Sequence, residues 1–229
     1  MKRETINDST LKFLTDIAKN NNRDWFQTNK QFYLEAQGNM HSFIDTLISE
    51  INKHDQLENR TAKKSLYRIY SDMRFSKGKL PYHAKFDFGL KRSGKQRRGG
   101  YYMNIEPGNS YLACGFFAPN PEDLKRIRLD ITANHTQWSA LLQSQAIKSN
   151  FADLKGNAVL TAPRGFQKDH EAIKLIRHKQ FFLRHNFTDQ EVLAADFLEK
   201  VNSIYQSVRP FFDYMSEVLT TDSNGEMTV

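Results

Sequence analysis

The chain holds 229 residues, 39% hydrophobic and 26% charged, with 33 Lys and Arg against 26 Asp and Glu for a net charge of +7. That composition excludes a collagen, a disulfide scaffold and an acidic disordered tail, and it leaves enough residues for one substantial core. Cys114 stands alone and cannot close an internal disulfide, no apolar run approaches a bilayer span, and MKRETINDST lacks a signal peptide's hydrophobic stretch, so a soluble cytoplasmic protein is expected.

Leu11, Leu14, Ile17 and Ala18 form the apolar stripe of a first helix, behind the capping candidates Asp8, Ser9 and Thr10. Asn20, Asn21 and Asn22 interrupt it, because asparagine tolerates the left-handed conformation that ends helices. A second helical stretch begins near Asp24 and carries Met40, Phe43, Ile44, Leu47, Ile48 and Ile51, with an irregularity expected at Gly38.

From Leu66 the pattern becomes strand-like. Tyr82, Ala84, Phe86, Phe88 and Leu90 alternate with His83, Lys85, Asp87 and Gly89, the mark of a half-buried strand. Residues 100–106 and 110–118 flank Pro107-Gly108, which suits the centre of a type II turn, and so predict a hairpin. Its second strand is apolar on both faces and should lie centrally in the sheet. Asn120-Pro121-Glu122-Asp123 opens a helix with a cap, a first-turn proline and first-turn acids, and Leu124, Ile127 and Ile131 form its buried stripe.

A further helix runs through Trp138, Leu141, Leu142 and Ile147, and Ala158 to Ala162 reads as a short strand. Pro163-Arg164-Gly165-Phe166 must turn, before a short helix at Ile173 to Arg177 and a strand at Phe181 to His185. The last helix starts on the capping-box pair Thr188 and Glu191 and continues to Met215, with a kink or break at Pro210. The expected fold is α+β: a largely antiparallel central sheet with flanking helices and helical N- and C-terminal segments. It forms a single domain over 1–229, with an ordered core of 11–219 and a frayed tail at 220–229.

The charge is concentrated. Residues 60–98 hold 13 basic side chains against the two acids Asp72 and Asp87, a net of +11, and the rest of the chain nets −4. Such a patch favours phosphate, carboxylate or nucleic acid. Within it, Arg68, Arg74, Ser76, Lys77 and Lys79, with Tyr82, compose an anion cradle around Gly78: arginine supplies planar bidentate donors and lysine a compact charge. Asp72 is the nearest general-base candidate. The same residues read equally as an Arg–Asp network that fastens a loop to the sheet.

Gly89 to Gln96 nearly matches a phosphate-binding loop. Gln96 replaces the hydroxyl residue, however, and a strand rather than a helix follows, so a basic hairpin tip is the better description. The seven histidines have no metal-ligand spacing, and Cys114 sits mid-strand as a small hydrophobe, so no metal and no cofactor is expected.

NNRDWFQTNKQFY, LYRIYSDMRFSKGKLPYH, GGYYMNIEPGNSYLACGFFAPNPEDLKRIR and PRGFQKDHEAIKLIRHKQFF occur in that order. On these blocks the chain resembles, from about Leu11 to Leu219, the bacterial and fungal family catalogued as domain of unknown function 2461. The resemblance implies a single domain and no established activity. Its blocks correspond to Asn22, Arg23, Trp25 and Phe26, to Arg68, Tyr70, Asp72, Arg74, Phe75, Ser76, Lys77, Lys79, Pro81 and Tyr82, and to Tyr101, Tyr102 and Pro163 to Phe166. Arg23, Tyr102 and Arg164 thereby become secondary site candidates. After Tyr82 the family pattern leads one to expect Lys-Thr-His where His83-Ala84-Lys85 stands, so no hydroxyl or imidazole role carries over there.

The leading expectation is a pocket for a small anionic or phosphorylated ligand. No paired carboxylates or activated nucleophile mark the chain as an enzyme or exclude it. The alternative is a nucleic-acid-binding module that uses residues 60–98, with Tyr67, Tyr70, Phe75 and Tyr82 interleaved and the 91–98 loop adjoining. A third reading is a scaffold whose basic loop meets an acidic protein surface.

Overall fold

The computed structural model describes residues 4–72, 78–221 and 226–227. Its elements run α1 (Asp8–Lys19), α2 (Arg23–Thr28), α3 (Lys30–Ile51), α4 (Ala62–Ser65), β1 (Phe86–Lys91), β2 (Gly100–Ile105), β3 (Ser110–Phe116), α5 (Pro121–Ala133), α6 (His135–Gln143), α7 (Gln145–Lys148), α8 (Ile173–Ile176), β4 (Phe181–Phe187), α9 (Asp189–Val192), α10 (Phe197–Ser207) and α11 (Arg209–Thr220). The four strands form one antiparallel sheet in the order β1-β2-β3-β4, and the fold is α+β. Among the described residues no helix is long and apolar enough to cross a membrane.

The chain divides into two compact units, the first built from Met1–Leu90, Tyr102–Leu112 and Asn186–Ser203, the second from Lys91–Tyr101, Ala113–His185 and Ile204–Val229. In the first unit α1 packs on α3, burying Leu11, Phe13, Leu14 and Ile17 together with Met40, Phe43, Ile44, Leu47 and Ile48. The start of α1 is held from a distance. Asn39 accepts from the Asn7 backbone N–H at 2.9 Å and the Thr10 hydroxyl at 2.8 Å, and donates to the Thr5 carbonyl at 2.7 Å. Asp8, Ser9 and Thr10 therefore lie inside the helix and do not cap it.

Several expectations need correction here. Asn20 ends α1 with φ −126°, and no non-glycine residue among those described has positive φ, so the asparagine run works through side-chain hydrogen bonds. Asn22 caps α2 by accepting from the Trp25 N–H at 2.9 Å. Gly38 leaves α3 unbroken. Leu66 to Tyr70 is no continuous strand: it meets the chain only through the bridges Leu66 to Phe88 and Tyr70 to Tyr82. Three residues separate the bridges on one side and five on the other, so the ladder slips, and β1 starts at Phe86 rather than Tyr82.

In the second unit α5 packs on α11, α6 and α8. Trp138, fully buried, donates its indole N–H to Asp130 at 2.7 Å, and the Tyr214 hydroxyl donates to the same carboxylate oxygen at 2.7 Å. Asn120 caps α5 as its sequence requires, accepting from the Asp123 N–H at 2.8 Å. Ala158 to Ala162 forms only the bridge Ala158 to His178, with no ladder on either side of it. The predicted helix through Trp138 and Ile147 is broken at Ser144, whose ψ of 149° is extended.

β2 and β3 make the expected hairpin. The Asn109 N–H closes the turn on the Glu106 carbonyl at 2.9 Å, and Gly108 takes the φ of +73° that a type II turn demands. β3 is buried along nearly its whole length. At Gly115, where β3 runs beside β4, an added Cβ would lie 2.2 Å from the Phe181 carbonyl oxygen.

The capping box of Thr188 and Glu191 is present at the start of α9. The predicted helix from there to Met215 is three helices. One break follows Val192, and the other lies at Val208, where Pro210 opens α11.

Candidate functional site

Part of the segment between residues 60 and 98 lines a cavity in the first unit. Its volume is about 290 Å3, and Arg23, Gln27, Tyr70, Ser71, Pro81 and Tyr82 line it. The floor is aromatic. Phe26, fully buried, stacks on Tyr82 with centroids 4.1 Å apart and an interplanar angle of 13°, and it meets Tyr70 edge-on at 5.6 Å. Tyr33 packs on the other side of Phe26 at 5.2 Å, its hydroxyl accepting from the Gln37 amide at 2.6 Å.

Local pairing explains why the two tyrosines converge. The Ser71 N–H donates to the Pro81 carbonyl at 2.9 Å and the His83 N–H to the Ile69 carbonyl at 2.8 Å. Tyr70 and Tyr82 are therefore a non-hydrogen-bonded antiparallel pair, the kind that brings side chains closest. Their rings lie 5.4 Å apart.

That geometry turns the backbone N–H and C=O of Tyr82 away from the neighbouring strand, and Asn21 meets both. Its amide nitrogen donates to the Tyr82 carbonyl at 2.8 Å, and its amide oxygen accepts from the Tyr82 N–H at 3.0 Å. One side chain thus stands in for a missing strand. Arg23 and Gln27 follow from α2, one helical turn apart on one face.

Burial raises the Tyr82 phenol above its ordinary pKa, the neighbouring Tyr70 adds to this, and the Arg23 guanidinium opposes it. The Tyr33 phenol is raised by the same two causes, burial first and then Tyr70. The phenols accordingly stay neutral donors, beside a permanent cation. Among the described residues the lining contains no carboxylate, imidazole or thiol; its polar side chains are a guanidinium, an amide, a hydroxyl and two phenols.

The sequence candidates separate against this frame. Tyr82 and Arg23 meet at the cavity. Arg68, Lys79 and Asp72 are exposed and outside its lining. Arg74, Ser76, Lys77 and Phe75 lie outside the described residues. Tyr102 is engaged elsewhere: its hydroxyl donates to Asp87 at 2.8 Å, and Lys85 pairs with the same carboxylate oxygen at 2.9 Å. Burial, followed by the hydrogen bond to Asp87, pushes the Tyr102 phenol far above its ordinary range. Arg164 sits exposed in the second unit, on a turn closed by the Phe166 N–H on the Pro163 carbonyl at 3.1 Å.

Two of the basic residues are engaged in ion pairs, and one of them is withdrawn from solvent altogether. Arg92 is 2% exposed, reaching Asp213 at 3.1 Å, the Arg98 carbonyl at 3.0 Å and the Phe212 ring at 4.9 Å. Arg98 forms an ion pair with Asp123. Cys114 is fully buried and its thiol is pushed up by burial, which suits a packing role. Among the described residues no group of three or more His, Cys, Asp or Glu side chains is placed to hold a metal ion.

Sequence reasoning missed Asn21, Gln27 and Ser71. The Asn-Asn-Arg-Asp run signals a helix start but carries no sign of its distant partner.

The family described as "Conserved hypothetical protein (DUF2461)" matches residues 9–214. The chain belongs to this family. No curated protein and no solved structure matches it. Family membership therefore extends the reading of the sequence blocks over nearly the whole chain and attaches no reaction to the Tyr70–Tyr82 cavity.

Proposed function

We propose that this protein binds a small anionic or phosphorylated ligand, with Arg23, Tyr70 and Tyr82 as its recognition groups. The observation that carries the reading is the pairing of a guanidinium with two phenol donors in one cavity whose lining, among the described residues, holds no negative group. A guanidinium gives planar, charge-assisted hydrogen bonds to phosphate or carboxylate oxygens, and the phenols add neutral donors at fixed positions. At about 290 Å3 the cavity falls at the small end of ligand sites, which run to roughly 1,000 Å3, so the ligand is small. Arg68, Arg74, Lys77 and Lys79 enter this reading from the sequence as positive charges of the same segment, and Ser76 as a neutral hydroxyl donor.

The test is calorimetric titration of the full chain with inorganic phosphate, pyrophosphate, a sugar phosphate and a dicarboxylate. At least one should bind saturably, and Arg23→Gln should weaken it about tenfold or more, the worth of one charge-assisted hydrogen bond. Tyr82→Phe keeps the stacked ring and should cost a smaller factor. Anion binding indifferent to both substitutions, or none at all, overturns the reading.

One observation favours the nucleic-acid alternative: Tyr67 and Tyr70 are 52% and 47% exposed, close in sequence to the exposed Lys63, Lys64 and Arg68. The inward pairing of Arg92 and Arg98 weighs against it. Binding of a labelled single strand that falls by roughly 0.7 log units per log unit of salt for each phosphate contacted is its signature.

A further inference from the structure

The second unit contains a cavity of about 330 Å3 that the sequence gives no hint of. Its walls come from α6, α7, the segment after α7, α8 and β4, which bring together residues as far apart as Ser139 and Leu183. Leu142, Leu154, Leu175 and Leu183 supply an apolar floor, Lys148, Lys174, Asp153 and His178 supply the ionisable groups, and Ser139 and Gln143 add neutral polar ones. Lys174 and His178 stand four residues apart across α8 and its C-terminus, where the His178 N–H returns to the Leu175 carbonyl at 3.0 Å, so both belong to one face.

Lys148 is already matched, its ammonium 3.3 Å from the Asp153 carboxylate. Lys174 makes no ion pair among the described residues and is exposed at the rim. The His178 Nδ1 is buried without a hydrogen-bond partner among those residues. Burial also lowers the pKa of that ring, so it is neutral at physiological pH. With Asp153 offsetting Lys148 and His178 neutral, the lining carries one net positive charge above an apolar floor. A dianion such as a phosphate monoester would exceed that single charge.

We propose that this cavity is a second ligand site, taking a small monocarboxylic acid whose head pairs with Lys174 and whose apolar body lies on Leu142, Leu154, Leu175 and Leu183. This site is separate in residues from the Arg23 cavity and does not depend on the reading given for it.

Octanoate is the probe, with 1-octanol as its uncharged counterpart, each titrated into the isotopically labelled full chain and followed by amide chemical shifts. Octanoate should shift the amides of Leu142, Leu154, Leu175 and His178 saturably, and 1-octanol should bind about tenfold more weakly. Lys174→Gln, at an exposed position that leaves the fold alone, should weaken octanoate about tenfold and leave 1-octanol unchanged. Equal affinity for the acid and the alcohol, indifference to Lys174→Gln, shifts confined to other residues, or no saturable shift would each overturn the proposal.

Discussion

Replacing Asn21 tests the geometry of the Tyr82 cavity without touching any group that lines it. The amide makes two hydrogen bonds to one residue's backbone, at 2.8 and 3.0 Å, across 61 positions of sequence. Each bond contributes about 1 kcal/mol net, and leaving the partly buried peptide groups of Tyr82 without a partner adds up to about another 1 kcal/mol. Asn21→Ala should therefore destabilise the protein by about 2–3 kcal/mol. Asn21→Leu, which keeps the bulk and removes both bonds, should match it to within about 0.5 kcal/mol. Urea unfolding followed by the fluorescence of Trp25, four residues away, measures this. With a denaturant slope of about 2 kcal/mol/M the midpoint should fall by roughly 1 M at unchanged slope. If Asn21→Leu behaves like the unmodified protein, the side chain acts by packing and the strand-substitute argument is wrong. If both variants are neutral, the amide bonds contribute nothing to the site.

Two further outcomes are expected. Glu191 is held down to about 2 from an ordinary value near 4.5, first by the hydrogen bond from Lys200, then by the Thr188 backbone N–H and hydroxyl. Because the folded value is the lower one, the stabilisation is complete above the ordinary carboxylate range and is lost as pH falls from about 4.5 toward 2. Both partners are more than a third exposed, at 39% and 37%, so screening holds the effect to about 1 kcal/mol or less. Melting temperature against pH should fall less steeply across that window in Glu191→Gln, and an identical slope would remove Glu191 from the account. We also propose that the two units unfold together as one domain. The two tryptophans report on them separately, Trp25 in the first and Trp138 in the second, so in Trp25→Phe and in Trp138→Phe the thermal transition of the remaining tryptophan's fluorescence should coincide with that of the same variant's far-ultraviolet circular dichroism. Separated midpoints would make the chain two domains.

What the sequence made legible was local. The Pro107-Gly108 hairpin, the Asn120 and Thr188 caps and the break at Pro210 each depend on residues within a few positions of one another, and each stands where it was expected. What stayed hidden was the pairing of distant residues. Arg92 looks like one more cation in a basic run, and nothing nearby in sequence says that Asp213, 121 positions on, draws it inward. The extended register of residues 66–70 was right in direction. The slip between its two bridges cannot be read from alternation, because both registers keep apolar side chains on the same face. At the candidate site, Tyr82 and Arg23 were legible as chemistry, and their meeting depends on α2 being set beside the Tyr70–Tyr82 pair by Asn21. Arg74, Ser76 and Lys77 fall outside the described residues, and their part in the cradle rests on the sequence.

The contact at Gly115 sets an unequal tolerance on the chain. Between β3 and β4 the polypeptide makes its longest excursion, from residue 117 to residue 180, and returns to pair at a place where one added carbon would lie 2.2 Å from a carbonyl oxygen. The φ of +151° there is also one that other residues rarely adopt. The cost of closing a loop rises only slowly with its length, by about 0.6 kcal/mol per doubling, so residues can be gained or lost in the exposed turns of that excursion at small expense. Short insertions in the exposed turns between residues 117 and 180 should therefore be tolerated, while a single methyl group at position 115 should not.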